Sequence, residues 1–496
     1  MSPTLCYKIS LHFATIILTV LSILFVPILI LTVIIPIIAF RACVQLLRQT
    51  LKPSSGKILT PISAYFAADK IHQDKPLCTN LIHISLQGKV EVNSIRKSLI
   101  DNVLMKTDDD GNPFYPELQQ YLTKYLGFSF WENDPNFSPD NHLRLVIFPG
   151  KDSITEDIYI PFFKSCLNSP FERKRSPWEI LIIHNFKEPH DHTNDPVTLV
   201  TFRVHHALSG GYSTMNFILD VGQVAGTRAV AKFPRIPLWK KILWNLVFIV
   251  RAPYESIWST LKALDSNDLR LPGKKLSSNK SVAISPPIPV QFIKDIKNGL
   301  KVSFSSVISE GIAGGIRNYM IENGMSVPRS IHVMTPWPVQ DIPAKLGNFL
   351  TGVLMEYPIG LDSPTKRAQG IEKNFNAMKY STIPRTNYLF MSTIGRVFNF
   401  MLKPAHHTAI ASTIMSNIAG PNEQLIFLTH PITGMTFASG FICKNIGLGF
   451  TVLSYNGFLR IICGADTALL PTDQEAAALL SKILGELQNL KNEVTV

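Results

Sequence analysis

No two of the six cysteines, Cys6, Cys43, Cys78, Cys166, Cys443 and Cys463, stand at C-x-x-C spacing. The sequence therefore offers neither a zinc knuckle nor a disulfide framework, and the chain reads as the product of a reducing compartment. Charge is scarce as well: 17% of the 496 residues are Asp, Glu, Lys or Arg, against 46% hydrophobic. That composition excludes a disordered, highly solvated chain and suffices for more than one buried core. There is no tandem repeat, no low-complexity tract and no basic-aromatic module of the kind that reads nucleic acid. The formal charge of +12 then points to an anionic membrane surface or a phosphate-bearing cosubstrate, not to DNA or RNA.

The lack of charge is concentrated in one place. From Ile9 to Phe40 there is no Asp, Glu, Lys or Arg, and a bilayer core needs only about 20 apolar residues in a helix. The run exceeds the ~7–15 apolar residues of a signal peptide and has no small-residue cleavage site, so we expect a retained membrane anchor. Pro27 and Pro36 interrupt it, which leaves a kinked single span and a re-entrant hairpin both open. Lys8 precedes the run, while Arg41, Arg48, Lys52 and Lys57 follow it. The positive-inside rule places the rest of the chain on the cytosolic side.

Beyond the anchor and its basic flank (1–58), the chain divides into a first α/β lobe (59–232), an aromatic, basic segment with a linker (233–289), and a second lobe (290–496). Strand-like runs at Asn80–Leu86, Leu143–Phe148 and Trp178–Ile183 and a helix from Ser94 to Leu104 build the first lobe. From Pro234 to Leu264, Trp239, Trp244, Phe248, Tyr254 and Trp258 lie beside Lys240, Lys241 and Arg251. This pattern suits either a helix in the headgroup layer or a buried linker helix. Asp265 to Pro289 reads as an exposed connection. The second lobe begins near Val290, carries a helix over Ser305–Asn323 and closes with one over Ala476–Leu490.

The stretch Thr198 to Tyr212 is where chemistry is most concentrated. Val200, Phe202 and Val204 alternate with Thr201 and Arg203 as in a half-buried strand, which then delivers His205 and His206 into the Ser209-Gly210-Gly211 turn. Neighbouring strand side chains point to opposite faces, so one histidine is expected in a cavity and the other as an anchor. Thirteen histidines in this chain give about 0.3 adjacent pairs by chance, so the pair alone is a weak signal. The second pair, His406-His407, follows Pro404 without a glycine turn and reads as structural or incidental.

The wider pattern resembles the wax ester synthase/diacylglycerol acyltransferase family. That family's H-H-x-x-x-D-G motif is matched by His205 to Gly211, its P-L-W-E strand start by Pro177-Trp-Glu179, its L-G-N motif by Leu346-Gly-Asn348, and its S-N-V-P-G-P element by Ser416 to Pro421. Ser454-Tyr-Asn-Gly457 followed by Ala465-Asp466 is similar to its terminal hairpin. The resemblance, over roughly residues 60–490, implies a two-lobed α/β fold of the chloramphenicol acetyltransferase type behind the membrane helix. It implies an O-acyltransferase that moves a fatty acyl group from acyl-CoA to a lipid alcohol, making wax esters or triacylglycerol, with no metal and no permanently bound cofactor. On that basis His206 is the expected general base and His205 its support, with Ser416 and Asn417 as candidate oxyanion donors. An unperturbed imidazole, pKa about 6.5, suits the task at cytosolic pH.

Two departures stand out. Gly210 occupies the motif's aspartate position, so the loop must be held another way, and Ser305-Ser306 stands where the family has an N-D pair. Gly210 motivates the alternative of a catalytically weak relative that binds or transfers lipid at membranes. The expected partners are acyl-CoA, a lipid alcohol and membrane lipids, with no nucleic acid. The expected location is the endoplasmic reticulum membrane, body facing the cytosol, with the lipid droplet as the other lipid surface.

Overall fold

The computed structural model describes residues 3–52, 55–73, 75–188, 195–224, 237–264, 267–270, 275–339, 343, 345–407, 410–441, 443 and 445–495. The expected close of the first lobe (225–232), the start of the aromatic segment (233–236) and parts of the expected connection (265–266 and 271–274) lie outside these residues.

Two large sheets carry the body. The first runs, in spatial order, Ile426–Phe427, His430–Ser439, Thr79–Gln87, Val197–His205, Trp178–Phe186 and Leu143–Leu145. The second runs Leu350–Tyr357, Ile331–Pro338, Thr413–Ala419, Leu448–Tyr455, Phe458–Asp466 and Lys280–Ile284. His430–Ser439 comes from the second half of the chain yet pairs antiparallel with Thr79–Gln87, Ala438 opposite Leu81. This crossover stitches the two halves into one mixed α/β body. Leu143–Phe148 was expected to be extended throughout, but only Leu143–Leu145 is a strand. The expected exposed connection also differs: Lys280–Ile284 is a buried strand on the edge of the second sheet, opposite Ile462 to Asp466. Its Lys-Ser-Asn composition hid a short β run.

The second sheet is backed by Val290–Leu300, Phe304–Glu322, Pro364–Lys379 and Asp473–Thr495. The helix expected from Ser305 is capped earlier, by the Ser303 hydroxyl accepting from the Ser306 N–H. Gly311, Gly314 and Gly315 lie against Leu487, Glu486 and Ile483 of the last helix, closer than any Cβ would allow.

Among the described residues one helix, Ile9–Leu51, is long and apolar enough to cross a membrane. Its 43 residues make a rod of about 65 Å at ~1.5 Å per residue, against a hydrocarbon core of about 30 Å. It is continuous, which decides against the re-entrant hairpin. A wide π-turn over Ile30–Ile34, between Pro27 and Pro36, absorbs the missing proline N–H groups. Its lower half docks on the three-stranded sheet of Ser55–Ile58, Phe128–Asn133 and Gln120–Tyr125. There Arg41 donates to the Leu59 carbonyl (2.6 Å) and Arg48 pairs with Glu132 (2.7 Å) under the Phe130 ring. Both arginines, read from the sequence as marks of the cytosolic side, are buried fasteners of the helix to the body.

The aromatic segment forms the helix Leu238–Lys262 and is not a buried linker: Leu238, Trp239, Leu246, Ile249 and Val250 are exposed. It runs beside the anchor, with Trp258 stacked on His12 (4.2 Å) and the Tyr254 hydroxyl 2.6 Å from His12 Nδ1.

Candidate active site

His205 ends the strand Val197–His205, and His206 opens the turn that leads to the helix Gly211–Val221. The pair separates as strand geometry requires. His205 is wholly buried: its Nδ1 accepts from the Ala207 N–H (3.1 Å), so its Nε2–H faces Asp69 Oδ2 at 3.2 Å. The same Asp69 oxygen accepts from the N–H groups of Leu77 (2.7 Å) and Cys78 (3.0 Å). Burial pushes the Asp69 carboxyl up, but the bond to His205, that ring's charge and the Cys78 and Lys70 amides outweigh it and bring the group down to about 2. Asp69 is thus a carboxylate clamp joining the turn before Thr79–Gln87 to the histidine strand.

His206 faces a chamber of about 110 Å³ between the two large sheets. Asn348 Nδ2 donates to the His206 carbonyl (2.7 Å), which leaves Asn348 Oδ1 to accept from His206 Nδ1 (2.7 Å). That arrangement assigns the proton to Nδ1 and the lone pair to Nε2. Phe66 stacks on the imidazole at 4.0 Å. Burial lowers His206 to about 4, opposed by the Asn348 bond, with the neighbouring His205 lowering it further. The unperturbed value expected from sequence therefore does not hold, because the ring is desolvated. The neutral form is the resting form at cytosolic pH.

The L-G-N run has a mechanical explanation. Gly347 sits at φ +154°, and its carbonyl accepts from the Gly210 N–H (3.1 Å) while the next residue, Asn348, reaches His206. That bond, with the Thr214 hydroxyl donating to the Gly210 carbonyl (3.0 Å), holds the turn without an aspartate. Gly210 itself is extended at φ −85°, so the turn does not need glycine for its backbone, contrary to the sequence reading. What glycine provides is clearance: a Cβ there would lie 3.2 Å from Asn348 Oδ1 and 3.6 Å from the His206 ring.

Ser416 and Asn417, on Thr413–Ala419, both line the chamber with His206. Tyr212 and Lys280 line it too, and sequence reasoning missed both. Burial raises the Tyr212 phenol, so its hydroxyl stays a donor. Burial lowers Lys280 to about 8 against the pull of Asp69, Cys78 and Asp466, and its ammonium lies over the Phe441 ring at 5.5 Å. Tyr212 had a local signal, since it follows the Gly-Gly turn. Asp69 and Lys280 had none: each is an isolated charge far along the chain from the histidines. Trp178 is a packing residue, donating to the Leu118 carbonyl (2.9 Å). His406 bonds the Tyr65 carbonyl (3.0 Å), away from the chamber wall.

A family model described as the WS/DGAT C-terminal domain matches residues 346–491. Wax ester synthase/diacylglycerol acyltransferase 9 of Arabidopsis thaliana is 24% identical over 513 residues, covering 90% of this chain and 97% of that protein. Among solved structures, the wax ester synthase/diacylglycerol acyltransferase from Marinobacter aquaeolei VT8 superposes with a TM-score of 0.59 at 15% identity, covering 88% of this chain and all of that one. The starter condensation domain of rhizomide synthetase, in complex with C8-CoA and Leu-SNAC, gives a TM-score of 0.57 at 10% identity, covering 89% and 96%. At these identities the two structures speak to the fold alone, and they bear out the two-lobed α/β architecture.

Proposed function

We propose that this chain, an acyltransferase of the wax ester synthase/diacylglycerol acyltransferase family, moves a fatty acyl group from acyl-CoA to the hydroxyl of a lipid alcohol, with His206 as general base. The acceptor class is a long-chain alcohol or a diacylglycerol, and the product a wax ester or a triacylglycerol. One observation carries the reading: His206 lines the chamber between the sheets with Nδ1 committed to Asn348, so Nε2 is the nitrogen free to take a proton.

The chemistry follows from that nitrogen. Nε2 removes the acceptor's hydroxyl proton as its oxygen attacks the thioester carbonyl, and the carbonyl π electrons move onto oxygen. Collapse of the tetrahedral oxyanion breaks the C–S bond, and the imidazolium returns its proton to the departing thiolate. The burial that lowers His206 weakens Nε2 as a base and strengthens the imidazolium as the acid that protonates the thiolate. In an apolar chamber the oxyanion needs aimed donors. Ser416, Asn417 and Tyr212 are the candidate donors among the residues that line the chamber. His205, held by Asp69, keeps the backbone from which His206 projects in place.

The 43-residue apolar helix supports a membrane-bound enzyme, and we place it at the endoplasmic reticulum with the body on the cytosolic side because acyl-CoA is available there. Reconstituted protein given labelled acyl-CoA with a panel of long-chain alcohols and diacylglycerol tests the reading. Ester from wild type and little from His206→Ala is the expected result. Lipid transfer between vesicles with no ester from any acceptor would replace the enzyme with the lipid-transfer alternative.

A further inference from the structure

A second cavity, of about 730 Å³, lies between the N-terminal helix and the body. Its walls are Leu18 and Ser22 of the apolar helix, Ile257 and Leu261 of Leu238–Lys262, and Phe390 and Met391 of Ile383–Ile394. It adjoins the catalytic chamber, with which it shares Pro336, Leu350 and Ile414 as lining residues. Phe66, which stacks on the His206 imidazole, also lines it.

We propose that this cavity holds the hydrocarbon tail of the lipid acceptor, which enters sideways from the bilayer between the N-terminal helix and Leu238–Lys262 and presents its hydroxyl to His206. The inference rests on the acyltransfer reading above and names where its acceptor sits. One wall is built from the helix whose length and composition fit a membrane, so lipid is the medium this face meets. Moving a methylene from lipid to an apolar cavity changes its surroundings little, so a tail can slide in without desolvation. The gain from burying it away from water is already realised in the bilayer.

The passage discriminates between the two substrates. A single neutral hydroxyl can cross an apolar lining at modest cost. The phosphates of coenzyme A, ionised, do not cross it. The donor is therefore assigned to the other mouth, where the chamber wall carries Lys280, Ser416, Asn417 and Ser439.

The test measures acceptor chain length against cavity volume. Ser22→Trp narrows the cavity from the anchor and Leu261→Trp narrows it from the second helix; neither residue belongs to the catalytic machinery. With one fixed acyl-CoA, each variant should lower kcat/KM for hexadecanol at least tenfold and leave that for butanol within twofold. An equal loss, or none, across the chain-length series in both variants would overturn the assignment. A vesicle-borne long-chain alcohol with a terminal diazirine supplies a readout independent of turnover: adducts should fall on residues 18–22, 257–261 and 386–391 and fade in Ser22→Trp. Labelling there by a photoreactive acyl-CoA and not by the alcohol would overturn it. Alcohol adducts in a protein that forms no ester would support the lipid site and sink the acyltransfer reading instead.

Discussion

Asn348→Ala is the substitution on which the geometry commits itself most fully. It deletes the acceptor of His206 Nδ1–H and the donor to the His206 carbonyl, both at 2.7 Å. Each buried group left unsatisfied costs about 1–3 kcal/mol. The loss at Nδ1 falls on catalysis, because the ring is then free to carry its proton on Nε2, where it blocks the base. A penalty of about 1–3 kcal/mol on the productive tautomer corresponds to roughly 5- to 150-fold in kcat. The assay is ester formation from labelled acyl-CoA, with kcat and KM separated and the thermal midpoint measured alongside. kcat should fall in that range while KM stays within about twofold. Asn348→Asp tests the same contact by charge: a carboxylate beside Nδ1–H raises His206 from about 4, so the acid limb of kcat/KM moves toward neutrality. A folded Asn348→Ala protein with unchanged kcat, or an Asn348→Asp profile that does not move, would refute the tautomer argument.

Gly210→Asp restores the family's residue but should lower kcat, since its Cβ presses on Asn348 Oδ1 at 3.2 Å and brings a second acceptor to that oxygen; a gain in ester formation would show the native turn to be impaired. His206 and His83, lowered by burial to about 4 and about 3, contribute stability that is present above the unfolded value near 6.5 and lost as pH falls toward the folded values. For His206 this is on the order of 3 kcal/mol, so the thermal midpoint should drop between pH 6.5 and 4, and His206→Asn should flatten part of that slope. Asp69→Ala leaves the His205 Nε2–H and two backbone amides without their acceptor, and at about 1–3 kcal/mol per unsatisfied buried group it should lower the midpoint more than His206→Ala does. Arg48→Ala breaks a buried pair with Glu132 and should make the N-terminal helix more sensitive to proteolysis, leaving kcat for short alcohols near wild type.

The sequence was most legible where side-chain period and turn chemistry act locally. Alternation in Val197–His205 located the histidine strand and separated the roles of its two histidines, because the strand period puts neighbours on opposite faces. The charge-free run located the N-terminal helix. Legibility failed where a role is made by distant segments meeting. Asp69 lies 136 residues before His205 and carries no local pattern. Asn348 was visible as part of a motif, but its grip on His206 needs the φ of Gly347 and the placement of two strands. Lys280–Ile284 was taken for an exposed connection because five residues are too few to show a period against a Ser- and Lys-rich background. The basic residues after the anchor have a role that composition does not show: Arg41 and Arg48 are occupied in packing the helix onto the body.

The account stands on the proton taken by His206. Single-turnover ester formation from labelled acyl-CoA and hexadecanol, in vesicles holding wild type or His206→Ala at matched amounts of folded protein, measures that step with product release removed. A rate about 10²- to 10⁴-fold lower in the variant is the predicted result. Equal rates would contradict it.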